Sequence, residues 1–289
     1  MQVLVTGAGG QLASELVETT PPGARIVALS EIDLDITDAG AVADAVRDAA
    51  PDVVINAAAY TAVDRAETDK DLAWRVNRDG AAHLAQAAQA RGVRFIHVST
   101  DFVFDGRSGT PYRPEDPPAP LGVYGASKLA GETAVQEAAP DALIVRTAWV
   151  YSPFGGNFLK TMLRLMNDRG EVAVVADQIG TPTCAATLAR TLWGLNAARA
   201  RGLHHCTDAG AASWYDFAVA IAEEAQALGM LRKGVVVRPI ATSDYPTPAR
   251  RPPYSVLDKA STWAILGEPA PHWRSALRET LTRLKAMSR

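Results

Sequence analysis

The chain has 289 residues, 48% of them apolar and 21% charged, with a formal net charge of −3. That length suffices for one large domain or two unequal ones with a sizeable core, and the slight acidity gives no support to a nucleic acid or an acidic membrane surface as partner. No apolar run reaches the roughly 20 residues that span a bilayer, "VLVTG" begins without a basic leader, and Cys184 and Cys206 lack metal-ligand spacing, so a cytoplasmic protein without a metal site is expected.

The first 150 residues alternate short β-rich runs with longer helical patterns. Strands are predicted at 2–6 ("QVLVT"), 25–30 ("RIVALS"), 52–58 ("DVVINAA"), 94–100 ("RFIHVST") and 142–150 ("ALIVRTAWV"). They are apolar nearly throughout instead of alternating, as in a parallel sheet covered on both faces. Helical patterns at about 10–19, 38–49, 69–91 and 124–138 separate them. Strands alternating with helices imply an α/β fold with a Rossmann-type doubly wound parallel sheet.

Past residue 150 the rhythm changes. A helix near 157–169, a strand at 171–176 ("EVAVVA") and a helix near 183–200 come first, and "LHHCT" (203–207) is a short strand that can join the main sheet. A helix follows at 213–229, with Ser213 as its N-cap and Gly229 past its end. The Pro-rich stretch 245–255 cannot be regular structure. The expected organisation is a nucleotide-binding domain over 1–150, rejoined by about 180–208, and a smaller C-terminal substrate-binding lobe from 151–179 and 209–289.

"VTGAGGQLASEL" puts Gly7, Gly10 and Ala13 between the first strand and first helix. Glycines there let the backbone approach a pyrophosphate, and the helix start offers amides and a partial positive charge. After the second strand come Ser30, Glu31 and Asp33. No arginine stands there to hold a 2′-phosphate, yet Ser30 tolerates one, so NADH and NADPH both stay open. "NAAAY" (56–60) ends the third strand with small residues, suited to an adenosine or to close helix packing. "VSTD" (98–101) ends the fourth at the carboxyl edge of the sheet, where ligands bind in this architecture. "YGASKLAGE" sets Tyr124 and Lys128 four apart on one helix. That spacing suits an unremarkable helix face, or an acid–base pair in which the ammonium lowers the phenol's pKa towards neutrality.

The glycine pattern, "NAAAY", "STD" and Tyr-x-x-x-Lys occur in the order of the extended short-chain dehydrogenase/reductases, which the chain resembles. More narrowly, "GGQLA", "NAAAYTAVDRAE", "STDFVFDG", "YGASKLAGE", "RTAWVYS", "NF", "DQIGTPT" and "RPPYSVLD" resemble the dTDP-4-dehydrorhamnose reductase family. The resemblance implies NADPH- or NADH-dependent reduction of the C4 ketone of dTDP-4-dehydrorhamnose to dTDP-L-rhamnose. It implies Tyr124 as proton donor, Lys128 on the nicotinamide ribose, and Thr100 polarising the ketone oxygen. Gly7, Gly10, Gln11 and Leu12 then meet the pyrophosphate, and Asp35, Ile36, Ala58, Ala59 and Tyr60 line the adenosine side. Asp101 and Trp149 contact the sugar, while Asn157, Lys160 and Arg251 are candidates for the rest of the dTDP-sugar. Arg250 and Arg251 read equally as a solvated basic loop, and Asp177 and Gln178 as structural turn residues.

Phe102 stands where the family commonly has a tyrosine. The same motifs suit a 4-ketoreductase for another nucleotide deoxysugar, a nucleotide-sugar epimerase, or a non-catalytic NADP-binding subunit like that of methionine adenosyltransferase. Some family members are dimers that share a magnesium ion through glutamates. Glu15 matches one such position but Ala186 falls at another, so activity without metal, in a monomer or a homodimer, is expected.

Overall fold

The computed structural model describes residues 1–231 and 234–287. Arg232, Lys233, Ser288 and Arg289, all within the 209–289 stretch assigned to the lobe, lie outside the described residues.

In chain order the first half runs β1 (Gln2–Thr6), α1 (Gln11–Glu18), β2 (Arg25–Leu29), α2 (Ala39–Ala49), β3 (Val53–Asn56), α3 (Val63–Ala66), α4 (Lys70–Trp74), α5 (Ala81–Ala90), β4 (Arg94–Thr100), α6 (Val123–Ala138) and β5 (Leu143–Thr147). The second half runs β6 (Val150–Tyr151), α7 (Phe158–Arg169), β7 (Glu171–Val175), β8 (Ile179–Gly180), β9 (Thr183–Cys184), α8 (Ala185–Ala197), β10 (Gly202–His205), β11 (Ala212–Ser213), α9 (Trp214–Ala227), β12 (Val236–Ile240), α10 (Ala260–Leu266) and α11 (Trp273–Met287).

The main sheet has the order β10-β5-β4-β3-β1-β2 with every pair parallel, so the chain winds outward in both directions from β1. Its strands are buried on both faces. Val3, Val5, Ile55, Ile96 and Val145 pack on one side under α1 and α8. Leu4, Val54, Phe95 and Ile144 pack on the other under α2 and α5. Central strands therefore read as continuous apolar runs. "LHHCT" does join this sheet, beside β5.

A separate core forms from α7, α9 and α11 around Leu159, Met166, Phe217, Ile221, Leu277 and Leu281. Ser213 caps α9 in a reciprocal box with Asp216, and Gly229 takes φ +69° just after it.

The predicted helix over 69–91 is three pieces, α4, a π-helical segment Arg75–Gly80, and α5. The predicted strand 142–150 breaks at Ala148–Trp149, because Trp149 takes φ +49°, which a strand cannot contain. β12, α10 and α11 are elements the sequence reading did not place. β12 pairs parallel with β7 at the rim.

Candidate active site

A cleft of about 750 Å³ runs along the carboxyl edge of the sheet, from the turn after β1 to the start of α6. At one end Gly7 has φ +81°, and a Cβ there would stand 2.9 Å from the backbone of Ala57 and Ala58. Glycine is demanded twice, by the left-handed backbone and by the close approach of two loops. Gly10 begins α1 without a side-chain cap, leaving the first amides of the helix directed at the cleft. Leu12 lines the same wall, and Ile36 beyond β2 lines the adenosine side. Asp35 is also there, its carboxylate accepting from the Thr37 amide and hydroxyl at 2.8 Å each, which holds it below the usual carboxylate range.

Asn77, in the π segment, ties the β3 loop to α6. Its Oδ1 accepts from the Tyr60 amide at 2.9 Å, and its Nδ2 donates to Tyr60 O at 3.1 Å and to Ser127 Oγ at 3.0 Å. α6 comes so near that a Cβ on Gly131 would lie 2.2 Å from Asn77 O. The local widening of the helix turns Asn77 into that seam. Ala58, Ala59 and Tyr60 are thereby fixed against the cleft.

At the other end stand Thr100, Tyr124 and Lys128. Thr100 donates to Asp101 Oδ1 at 3.1 Å and accepts from the Phe102 amide at 3.2 Å. Burial pushes the Tyr124 phenol up to about 12; the Thr100 hydroxyl beside it works the other way, and the Asp101 carboxylate adds to the rise. The expectation of a phenol acidified by Lys128 is therefore corrected. Lys128 is 2% exposed and donates to Val98 O at 2.7 Å, and burial pulls its ammonium down to about 8. A phenol of this kind keeps its proton at neutral pH, which suits a proton donor. Burial pushes Asp101 up to about 6 in spite of the Ser255 and Thr100 hydroxyls beside it. Phe102 meets the Tyr124 ring edge-on, with centroids 5.5 Å apart.

Trp149 lines the cleft and stacks on Trp214 at 3.6 Å with the planes 8° apart, while Gly180 leaves room beneath its indole. Asn157 lines it too, but its side chain caps α7, accepting from the Lys160 amide at 3.1 Å and donating to Gln11 Oε1 at 2.9 Å. Lys160 donates to Gly155 O at 2.7 Å. Arg251 is absent from the cleft wall. Its guanidinium grips Asp64 with two bonds of 3.0 and 2.9 Å, so it anchors the Pro-rich stretch to α3. Asp177 and Gln178 bond Thr242, a structural use.

Sequence reasoning missed four residues of this wall and its backing. Ser99 and Thr147 line the cleft with buried hydroxyls that meet no partner among the described residues. Asn56 and His97 stand behind Lys128 in a buried polar chain. The register of β4 against β5, which pairs Thr100 with Thr147, would have pointed to Thr147.

The description "RmlD substrate binding domain" fits residues 1–286 of the chain. The chain belongs to that family. It is 42% identical over 98% of both chains to the dTDP-4-dehydrorhamnose reductase of Sinorhizobium fredii, and 46% identical to that of Streptomyces griseus, covering 97% of this chain and 93% of the relative. Among solved structures, the dTDP-4-dehydrorhamnose reductase of Clostridium acetobutylicum superposes with a TM-score of 0.93 at 39% identity, covering 99% of this chain and all of the other. That of Bacillus anthracis, solved in complex with NADP, gives 0.92 at 38% identity, covering 98% and 99%.

The shared magnesium site that the resemblance implied for some relatives does not fit the residues around Glu15. Its carboxylate is fully buried and accepts from Arg283 Nη1 at 3.0 Å to each oxygen and from Ser152 Oγ at 2.9 Å. A guanidinium of the last helix fills the cationic role against Glu15, and Ala186 is buried without a donor. Among the described residues no group of three or more His, Cys, Asp or Glu side chains is placed to hold a metal ion.

Proposed function

We propose that this chain reduces the C4 ketone of dTDP-4-dehydrorhamnose to dTDP-L-rhamnose, using NADPH or NADH. The observation that carries the reading is the convergence of Thr100, Tyr124 and Lys128 in the same cleft as the glycine turn at the start of α1. The cradle at Gly7, the uncapped start of α1 and the small side chains of Ala58 and Ala59 fit a dinucleotide. Bound there, the reduced cofactor supplies hydride to the carbonyl carbon.

The rest is the work of this chain's side chains. Tyr124, protonated at neutral pH, gives its proton to the carbonyl oxygen as negative charge develops there. Thr100 donates to the same oxygen and holds it within reach of Tyr124. Lys128 offers its ammonium to the nicotinamide ribose. The Trp149 indole, backed by Trp214, gives the sugar a flat apolar wall, and Asp101 accepts from a sugar hydroxyl. Asn157 shapes the pyrophosphate end by holding Gln11.

The sheet with α1–α6, α8 and β10 forms the nucleotide-binding part, and the core of α7, α9 and α11 the substrate lobe. α10 packs on α8 and β10 and belongs with the first of these. We place the protein in the cytoplasm, where nucleotide sugars and reduced nicotinamide cofactors meet and where its free cysteines, Cys184 and Cys206, stay reduced. A monomer or homodimer without a shared metal is consistent with the Glu15–Arg283 pair.

The test is incubation with the keto sugar and either reduced cofactor, with identification of the product sugar, alongside Tyr124→Phe. The variant keeps the ring and its contact with Phe102, so it should bind cofactor normally and lose about 10²–10⁴-fold in kcat. A product other than the rhamnosyl nucleotide, or near-native turnover in the variant, overturns the reading.

A further inference from the structure

Behind Lys128, β4 carries His97, fully buried, with Nδ1 3.1 Å from Asn56 Nδ2 and Nε2 3.4 Å from Lys128 Nζ. Burial, reinforced by the Lys128 charge, holds its pKa well below the usual imidazole range, so the ring is neutral. A neutral imidazole has one N–H and one acceptor nitrogen. Which is which follows from Asn56. Its Oδ1 accepts from the Ala58 amide at 3.1 Å and from the Thr6 hydroxyl at 2.8 Å, so its NH₂ must face His97. Nδ1 is then the acceptor, and Nε2 bears the hydrogen.

That hydrogen faces Lys128. An ammonium carries three donors and no acceptor, so it cannot bond to an N–H, whereas the lone pair of the uncharged amine can. The other groups around Nζ are few. β4 also gives the Val98 carbonyl, at 2.7 Å. Glu132, one turn along α6, favours the ammonium but is itself held by Arg146 of β5 at 2.9 and 2.7 Å. The π segment reaches this part of α6 through the uncharged Asn77–Ser127 bond. Tyr124 and Asp101 lie towards the cleft.

We propose that His97 is a positioning residue for Lys128: locked by Asn56, it presents a ring N–H that denies the ammonium a second buried acceptor, aims its remaining protons at the cleft and eases their release. The proposal rests on the reading of Lys128 as the cofactor-holding ammonium. Burial already pulls the Lys128 ammonium down to about 8 against the pull of Glu132, and the ring N–H of His97 acts on top of that. The polar chain Thr6–Asn56–His97–Lys128 thus crosses three adjacent strands to reach a single amine.

The test uses nitrogen NMR on the native enzyme and two variants that leave Lys128 in place. In the native protein the ring shifts of His97 should report a protonated Nε2; a protonated Nδ1 overturns the proposal. His97→Gln gives the ammonium a carbonyl acceptor, and Asn56→Asp draws the ring proton to Nδ1 and frees Nε2 to accept. Both should move the Lys128 side-chain titration upward by about one pH unit, because an acceptor bond favours the charged form. The alkaline fall of kcat/KM should move with it, since activity requires the ammonium. A Lys128 titration unchanged in the folded variants overturns the proposal. A titration that moves while the pH–rate profile stays upholds the action of His97 and removes Lys128 ionisation from turnover, so the two readings fail separately.

Discussion

Replacing Arg283 with methionine keeps most of the side-chain volume and removes the cation that, among the described residues, pairs with Glu15. Glu15 is 0% exposed, whereas the Arg283 side chain is 37% exposed, so the pair is closed on the α1 side and open towards solvent on the other. Breaking a wholly buried ion pair by removing one partner costs about 3–5 kcal/mol, because the remaining charge is stranded. Here water can approach the carboxylate once the guanidinium is gone, and Ser152 still donates at 2.9 Å, which argues for a cost below that range, about 2–3 kcal/mol. For a chain of this size each kcal/mol lowers Tm by about 2–4 °C, so a drop of about 5–10 °C is expected. Thermal unfolding followed by circular dichroism, with EDTA or with magnesium chloride, reads it. The native Tm should be the same in both, and the double variant Glu15→Gln/Arg283→Met should regain most of the loss, because no stranded charge is left. A single variant within about 0.5 kcal/mol of native would refute the argument. So would a variant whose Tm magnesium restores, since Glu15 would then be a cation site after all.

Phe102→Tyr adds a hydroxyl to a ring that lines the cleft beside Tyr124, and should lower KM for the dTDP-sugar with kcat nearly unchanged, the pattern of added uniform binding; a change in kcat alone would mean that position 102 acts in the chemistry. Lys128→Met should weaken cofactor binding as well as turnover, and an unchanged cofactor Kd by calorimetry would contradict its placement on the ribose. Asp208, fully buried and accepting from the Cys184 amide at 2.9 Å, is pushed up by burial to about 7. Its folded pKa lies above its unfolded one, so stability falls as pH rises from about 4 to about 7, where the unfolded chain has already lost the proton. Asp208→Asn should therefore raise Tm at pH about 8 and leave it unchanged near pH 4, and a gain of equal size at both would point to packing instead of charge.

The main sheet could be read from the sequence because burial on both faces removes alternation and leaves runs such as "VVIN" and "LIVRT". What escaped did so for identifiable reasons. β12 lies at the rim of a small sheet, half exposed and with Pro239 in it, so neither its periodicity nor its composition reads as a strand. α11 was legible and overlooked: Trp273, Ala276, Leu277, Thr280 and Leu281 keep the helical spacing, and all are buried. The π segment has no local code, since Asn77 takes its place through contacts with Tyr60 and Ser127, far away in sequence. In the site, the glycine turn, "STD" and the Tyr–Lys pair carry their chemistry in residue type and spacing. Arg251 does not, because a guanidinium in a proline-rich loop reads the same whether it faces a ligand or Asp64. His97 was hidden for the opposite reason. One histidine in an apolar strand gives no sign that its ring will be oriented by an asparagine on the neighbouring strand β3.

β10 has a consequence for synthesis. It pairs with β5, yet more than fifty residues separate Thr147 from Gly202. While a ribosome makes the intervening chain, Leu143–Thr147 is the outermost strand, apolar and unpaired on one side, an edge to which another nascent chain can add. Parallel pairing offers no nearby hairpin partner to cover it sooner. The sheet is sealed only when Gly202–His205 has emerged. α1 waits longer still, for Arg283 of α11, so these two helices, far apart in sequence, mature together.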